Sequence, residues 1–269
     1  MKDVQNERDE RKVKLDFVGV KGVWIPIKLK DKKKGEQVVQ AKVKAMVNLS
    51  KHQKGVHMSH LVDPLYKLTN TMGIDSLMEL ANEIKDDQTK ENNGVTTHSC
   101  MLSLNFKYFM DKEAPASKEK SMLVYDSRIE VVAGNNGYKS IRVKVPVSTC
   151  CPCSLELCEN KAAHNQRGII TITIYQDPTD SRTVWIEDLI EAAEKAGSCE
   201  IYPVLRRPDE QYVTYKMFEH AKFVEDCVRD AVLNIKEKYP NLKAKVSCEN
   251  MESIHDHSAY AETVAEKDE

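Results

Sequence analysis

The sequence predicts an α+β protein built from two topologically alike halves, residues 1–135 and 136–269. Three observations predict this class. The chain has 269 residues, beyond the roughly 100 to 200 expected of one domain. Apolar residues two apart mark strands in several separated stretches. The order strand, strand, helix, helix, strand, strand occurs twice, although no repeat of the sequence itself is visible.

In the first half, Val38, Ala41, Val43, Ala45 and Val47 alternate with Lys42, Lys44 and Met46, which is strand periodicity. Residues 13–29 read as the hairpin partner. Residues 59–68 and 75–84 carry apolar side chains three and four apart and read as two helices, and residues 101–110 and 122–133 return to strands. Asn135-Asn136-Gly137 is a strong turn signal. In the second half, residues 139–148 alternate Ile141, Val143, Val145 and Val147 with Arg142 and Lys144, and residues 169–175 alternate Ile and Thr. Residues 186–196 read as a helix, residues 216–239 as a longer helix ended before Pro240, and residues 243–248 as a last strand before a polar tail.

Composition narrows the function classes. Hydrophobic residues make up 41% and charged residues 30%, the balance of a soluble globular chain. Lys and Arg number 40 against 42 Asp and Glu, a net charge of -2, so no global positive field draws nucleic acid or anionic lipid. Any anion site is local. The charged stretch Met1–Lys14 has no apolar core of a signal peptide, and no run of about 18 apolar residues occurs, which leads to the expectation of a cytoplasmic protein with neither membrane nor nucleic acid as partner. Eight cysteines, four of them between Cys150 and Cys158, read as reduced thiols that favour a metal over a disulfide framework.

Cys151-Pro152-Cys153 closes one strand and His164-Asn165-Gln166-Arg167 opens the next, so one loop brings a thiolate and an imidazole together. Those donors suit a borderline-soft divalent ion, although a catalytic centre needs about three protein ligands and an open position. Buried thiols, a redox pair or half of a structural zinc knot fit the same spacing. Among carboxylates, Arg206-Arg207-Pro208-Asp209-Glu210 reads as a solvated turn. Glu225 flanks the apolar stripe Ala221, Val224, Val228, Ala231 and Ile235, either reaching a pocket or pairing with Arg229 at i,i+4. Glu252-Ser253-Ile254-His255-Asp256-His257 offers an acid and imidazoles able to move protons near neutral pH.

Several of these segments, in order along nearly the whole chain, resemble the GTP cyclohydrolase IB family. They are Asp3-Val4-Gln5-Asn6, Val18-Gly19-Val20-Lys21-Gly22, Gly55-Val56-His57-Met58-Ser59, Cys151-Pro152-Cys153-Ser154, His164-Asn165-Gln166-Arg167, Arg207-Pro208-Asp209-Glu210, Lys222-Phe223-Val224-Glu225-Asp226 and Glu252-Ser253-Ile254-His255. The resemblance implies a tandem tunnelling fold whose antiparallel sheets form a barrel on oligomerisation, in a homotetramer with sites between subunits. It implies that Cys151, His164 and Glu210 hold a divalent metal (zinc, manganese or iron), with Cys153 in or beside that shell. It further implies that Glu225 anchors the guanine of GTP and that Glu252 and His255 assist proton transfer. The expected reaction takes GTP and water to 7,8-dihydroneopterin triphosphate and formate, at the start of pterin and folate biosynthesis. Arg167, Arg206, Arg207 and Lys161 are candidates for the triphosphate by charge. Two departures stand out: Tyr215 replaces the glutamate usual in the family, and His60 the usual arginine. Cys150 is an added thiol, and the loop to His164 is a residue longer. Two other readings remain at this stage: a nucleotide-binding protein of the same fold without turnover, motivated by those departures, and a tunnelling-fold nitrile reductase using a Cys nucleophile and NADPH.

Overall fold

In a computed structural model, which describes residues 3–69, 71–91 and 97–267, the chain divides into two compact units. The first comprises Met1–Lys107, Arg128–Ser140 and Gln176–Thr183, and the second Tyr108–Ser127, Ile141–Tyr175 and Val184–Glu269.

The first unit opens with a long hairpin, β1 (Leu15–Asp31) and β2 (Gly35–Leu49). Its antiparallel register runs from Asp31 opposite Gly35 to Leu15 opposite Leu49. Asp31 sets the turn, its carboxylate accepting from the backbone N–H groups of Lys33 (2.9 Å) and Lys34 (2.7 Å). The alternation read from the sequence is the pleat: Ile25, Ile27 and Leu29 of β1 and Val39, Ala41, Val43, Ala45 and Val47 of β2 are buried. The Gly-rich stretch of β1 has two separate reasons. A Cβ on Gly19 would stand 2.2 Å from the carbonyl oxygen of Ala45, and Gly22 has φ +88° where the register shifts between Lys21 and Val23.

The predicted helix over 59–68 is instead a four-residue turn, α1 (Ser59–Val62), followed by a 3-10 segment Asp63–Thr69. Pro64 has no N–H for the α-helical ladder and crowds the preceding turn, which accounts for the break. A two-residue strand, β3 (Thr71–Met72), pairs in parallel with Lys28 and Leu29 of β1. Helix α2 (Ile74–Glu91) outruns its predicted span and buries Leu77, Ala81 and Ile84. Strand β4 (Ser99–Glu113) pairs with β2, Cys100 opposite Val47 and Phe106 opposite Ala41. Strands β4, β5 (Lys120–Gly134) and β6 (Tyr138–Cys150) each contribute residues to both units.

The second unit continues with α3 (Pro152–Leu157), β7 (Asn165–Gln176), α4 (Ile186–Ala196), β8 (Cys199–Glu200), α5 (Arg207–Glu219), α6 (Val224–Lys238), β9 (Lys243–Met251) and β10 (Ser258–Ala265). Its sheet order is β10-β9-β7-β6, with β8 beside β6. Helices α4 and α6 pack on each other, and α6 packs on β9 and β10. Leu189, Ile190, Ala193, Val228, Ala231 and Ile235 are buried on the helices, as are Ile170, Ile172, Ile174 and Val246 on the strands. Burial of each Leu, Ile or Val side chain among them contributes about 1.5–3 kcal/mol.

Three expectations for this half are corrected. The single helix over 216–239 is two helices separated at residues 220–223, so Ala221 lies in a linker and not on the buried stripe. The expected turn at Arg206–Glu210 is the N-terminus of α5. The polar tail forms β10, antiparallel to β9 from Ser258 opposite Met251 to Ala265 opposite Ala244. The interruption has a local cause: Asp226 Oδ2 accepts from the backbone N–H of Phe223 at 3.1 Å, a carboxylate cap that starts a new helix.

Candidate active site

The rim at the end of β6 is built by short backbone links. Cys151 is the N-cap of α3, extended at φ −73° and ψ 116°, with Pro152 opening the helix and Cys151 Sγ accepting from the N–H of Ser154 at 3.4 Å. The N–H of Cys151 donates to the carbonyl of His164 at 3.1 Å, and the N–H of His164 donates to Ser154 Oγ at 3.3 Å. The loop between β6 and β7 is therefore pinned shut at its base. The backbones of Cys151 and His164 are thereby paired at the base of that loop, where the sequence reading brings the two strand ends together.

The imidazole is held from behind. His164 Nδ1 lies 3.1 Å from Gln166 Oε1 and 3.6 Å from Glu252 Oε2, and the His164 and Glu252 side chains are only 17% and 11% exposed. Register delivers Glu252 there: Met251, the last residue of β9, is opposite Arg167 of β7, so the residue after the strand continues toward Gln166 and His164. An acceptor at Nδ1 fixes the tautomer that leaves Nε2 as a lone-pair donor, the usual support of a metal-ligating histidine.

A further link reaches the rim from the helices. The N–H of Lys222, in the linker between α5 and α6, donates to the carbonyl of Cys150 at 3.0 Å. Glu225 follows three residues later, exposed in the first turn of α6. Its expected i,i+4 partner Arg229 pairs with Asp226 at 3.2 Å. Cys150 is fully buried, and burial, reinforced by the adjacent Cys151, pushes its thiol pKa up. It is thus a poor thiolate donor beside the more accessible Cys151. Cys153 on α3 and Cys158 at its C-cap are exposed.

The other predicted site residues are not drawn into this group. Glu210 is exposed in the first turn of α5, and among the described residues no three His, Cys, Asp or Glu side chains converge as a metal cluster. Its neighbour Asp209 is fully buried and accepts from the N–H groups of Ala116 (2.8 Å), Ser117 (2.8 Å) and Arg206 (2.8 Å) and from Ser117 Oγ (2.6 Å). Those bonds hold its carboxyl far below the usual range despite burial. His255 is exposed and stacks on His257 with ring centroids 5.0 Å apart. Tyr215 is 59% exposed on α5, and the His60 ring sits edge-on to His57 at 5.7 Å. Of the triphosphate candidates, Lys161 contacts Glu159, and Arg206 pairs with Glu119 at 3.1 Å.

The strand and helix order defines the chain first as a tandem tunnelling-fold protein. Solved urate oxidases share the fold: that of Bacillus fastidious has a TM-score of 0.52 at 11% identity over 94% of each chain, and that of Bacillus sp. TB-90 has 0.51 at 10% identity over 94% of this chain and 100% of that one. Residues 1–261 match the family described as type I GTP cyclohydrolase FolE2. Curated GTP cyclohydrolase FolE2 proteins are 38% identical in Syntrophotalea carbinolica, over 97% of this chain and 94% of the relative, and 40% identical in Thermotoga maritima, over 97% and 96%. The chain belongs to the type I GTP cyclohydrolase FolE2 family.

Proposed function

We propose that this chain is a GTP cyclohydrolase of the IB type that converts GTP and water to 7,8-dihydroneopterin triphosphate and formate. Family membership supports the reaction class, and the observation that carries the site is the Cys151–His164 pair with Glu252 behind the imidazole. A thiolate and a neutral imidazole oriented at Nδ1 form a donor pair that fits a borderline-soft divalent ion such as zinc, manganese or iron. Cys151 and His164 are the ligands this geometry supports, Glu210 is the third in the proposal, and Cys153 stands beside them. When bound, such an ion supplies a water whose pKa is lowered toward about 7, a source of hydroxide for C8 of the purine.

The chain's own residues supply the rest. Glu225 accepts hydrogen bonds from the N–H edge of guanine, the strong charge-assisted kind. Glu252 and His255 pass protons to the ring nitrogens as the five-membered ring opens and formate leaves. Glu252 then has two tasks, since the same carboxylate faces His164. The proposal includes a homotetramer with sites between subunits, tunnelling-fold halves at residues 1–135 and 136–269, and a cytoplasmic location; no helix among the described residues is long and apolar enough to cross a membrane. Arg167, Arg206, Arg207 and Lys161 remain the candidates for the triphosphate.

Formate release from GTP, assayed with zinc, manganese and iron in turn, tests the reading. Formate together with a pterin that fluoresces after oxidation is expected with at least one metal. Tight GTP binding with no formate under any of them would instead favour a binding protein, for which Tyr215 on the face of α5 is the motivating observation.

A further inference from the structure

We propose that Lys222 is a positioning residue that holds the guanine-binding end of α6 against the metal-bearing rim. The inference rests on the reading of Glu225 as the guanine anchor. Lys222 ties together three elements of the second unit. Its backbone N–H donates to the carbonyl of Cys150 at 3.0 Å, next to Cys151. Its ammonium donates to the carbonyls of Ala196 (3.1 Å) and Lys195 (3.4 Å) in the last turn of α4, where a helix leaves carbonyls unpaired and its dipole favours a cation. The same ammonium pairs with Asp230 of α6 at 2.8 Å.

The side chain is 19% exposed and fully engaged by these partners, so it serves as a brace and not as a free cation for phosphate. Position along the chain gives the brace its purpose. Phe223 caps α6 immediately afterwards, and Glu225 is exposed in the first turn, two residues beyond that cap. The distance between Glu225 and the Cys151–His164 pair is therefore set by the backbone of residues 222–224. Lys222 anchors that backbone to β6 on one side and to α4 on the other. Loss of that anchorage frees the start of α6, so binding must pay for ordering Glu225 against guanine, and affinity falls.

The test is GTP binding to the full chain by equilibrium dialysis, with the metal chelated so that no turnover consumes ligand, beside metal content measured on untreated protein. Lys222→Met, which keeps the aliphatic stem, is expected to weaken GTP binding roughly tenfold or more with unchanged metal content, and Lys222→Arg to stay within about threefold of the parent. In a Glu225→Gln background Lys222→Met should add nothing, because the anchor it positions is gone. Asp230→Asn, a milder change, should weaken binding in the same direction. Parental affinity in both Lys222→Met and Asp230→Asn, with weakened binding in Glu225→Gln, would overturn the proposal while leaving the guanine anchor intact. An equal loss from Lys222→Met in both backgrounds would also overturn it. Unchanged binding in Glu225→Gln would overturn the reading on which it rests.

Discussion

Glu252→Gln isolates the carboxylate behind His164 without changing side-chain size. The magnitude follows from the contacts. A hydrogen bond from a neutral imidazole N–H to a charged acceptor contributes about 1.5–3 kcal/mol. Glu252 stands at 3.6 Å, too far for a full hydrogen bond, while Gln166 Oε1 at 3.1 Å competes for the same Nδ1. The carboxylate therefore acts mainly through its field, which at 11% side-chain exposure is only partly screened. A loss of about 1.4 kcal/mol, roughly tenfold in metal affinity, is the expectation, at the low end of the 10- to 100-fold typical of such supporting groups. Gln166→Ala should add to it, since each mutation leaves the other acceptor in place. Competition against a chelator of known affinity, with zinc as the probe, measures both. Metal affinity within twofold of the parent in the Glu252→Gln, Gln166→Ala double variant would refute the claim that these groups support a ligand.

Further outcomes follow from other contacts. Cys151→Ala and His164→Ala should each lose bound metal by elemental analysis, and retention in Cys151→Ala would contradict its assignment. Glu225→Gln should keep its metal but bind GTP more weakly, read by the same dialysis. Glu194→Ala would leave Lys112 without its partner: the pair is 2.7 Å apart with side chains 9% and 11% exposed, and Tyr125 also donates to Glu194 at 2.7 Å. Breaking a buried pair costs about 3–5 kcal/mol; residual exposure lowers the expected loss to about 2–3 kcal/mol, measured by urea unfolding. Asp209 has a depressed folded pKa, so the unfolded chain binds more protons between that value and the ordinary 3.8. Its contribution is therefore complete above the unfolded value and lost as pH falls toward the folded one. The stability gap between the parent and Asp209→Asn should be constant near neutrality and narrow below about pH 4.

Strands were legible in the sequence wherever one face is buried and the other is not. Ile25 to Leu29, Val39 to Val47 and Ile170 to Ile174 carry the alternation because the core demands it. Strand β10 was missed because Tyr260 and Val264 face solvent and few of its side chains are covered, so hydrogen bonds to β9 alone define it. Helix α5 was missed for a related reason. Only Asp209 is buried in it, so it lacks an apolar stripe, although Arg206 followed by Pro208 and Asp209 is a helix-start pattern that could have been recognised.

The site divides along the same line. Cys151 and His164 were readable because one follows the end of a strand and the other precedes the start of the next, so a single connection joins them. Glu252 reaches His164 through β7–β9 register, a long-range property that spacing does not encode. The brace at Lys222 depends on a backbone hydrogen bond to Cys150, which side-chain identity does not announce. Glu210 entered as a ligand through family resemblance and His255 through its place beside Glu252 in the sequence, and the contacts described for them do not join them to the Cys151–His164 pair.

The fate of one carbon atom, C8 of the purine, distinguishes hydrolysis of GTP from binding alone. GTP labelled with carbon-13 at C8, incubated with metal-loaded protein and followed by NMR, should transfer the label to free formate while a dihydropterin triphosphate accumulates. Label that stays in the nucleotide with every metal supplied would contradict the account.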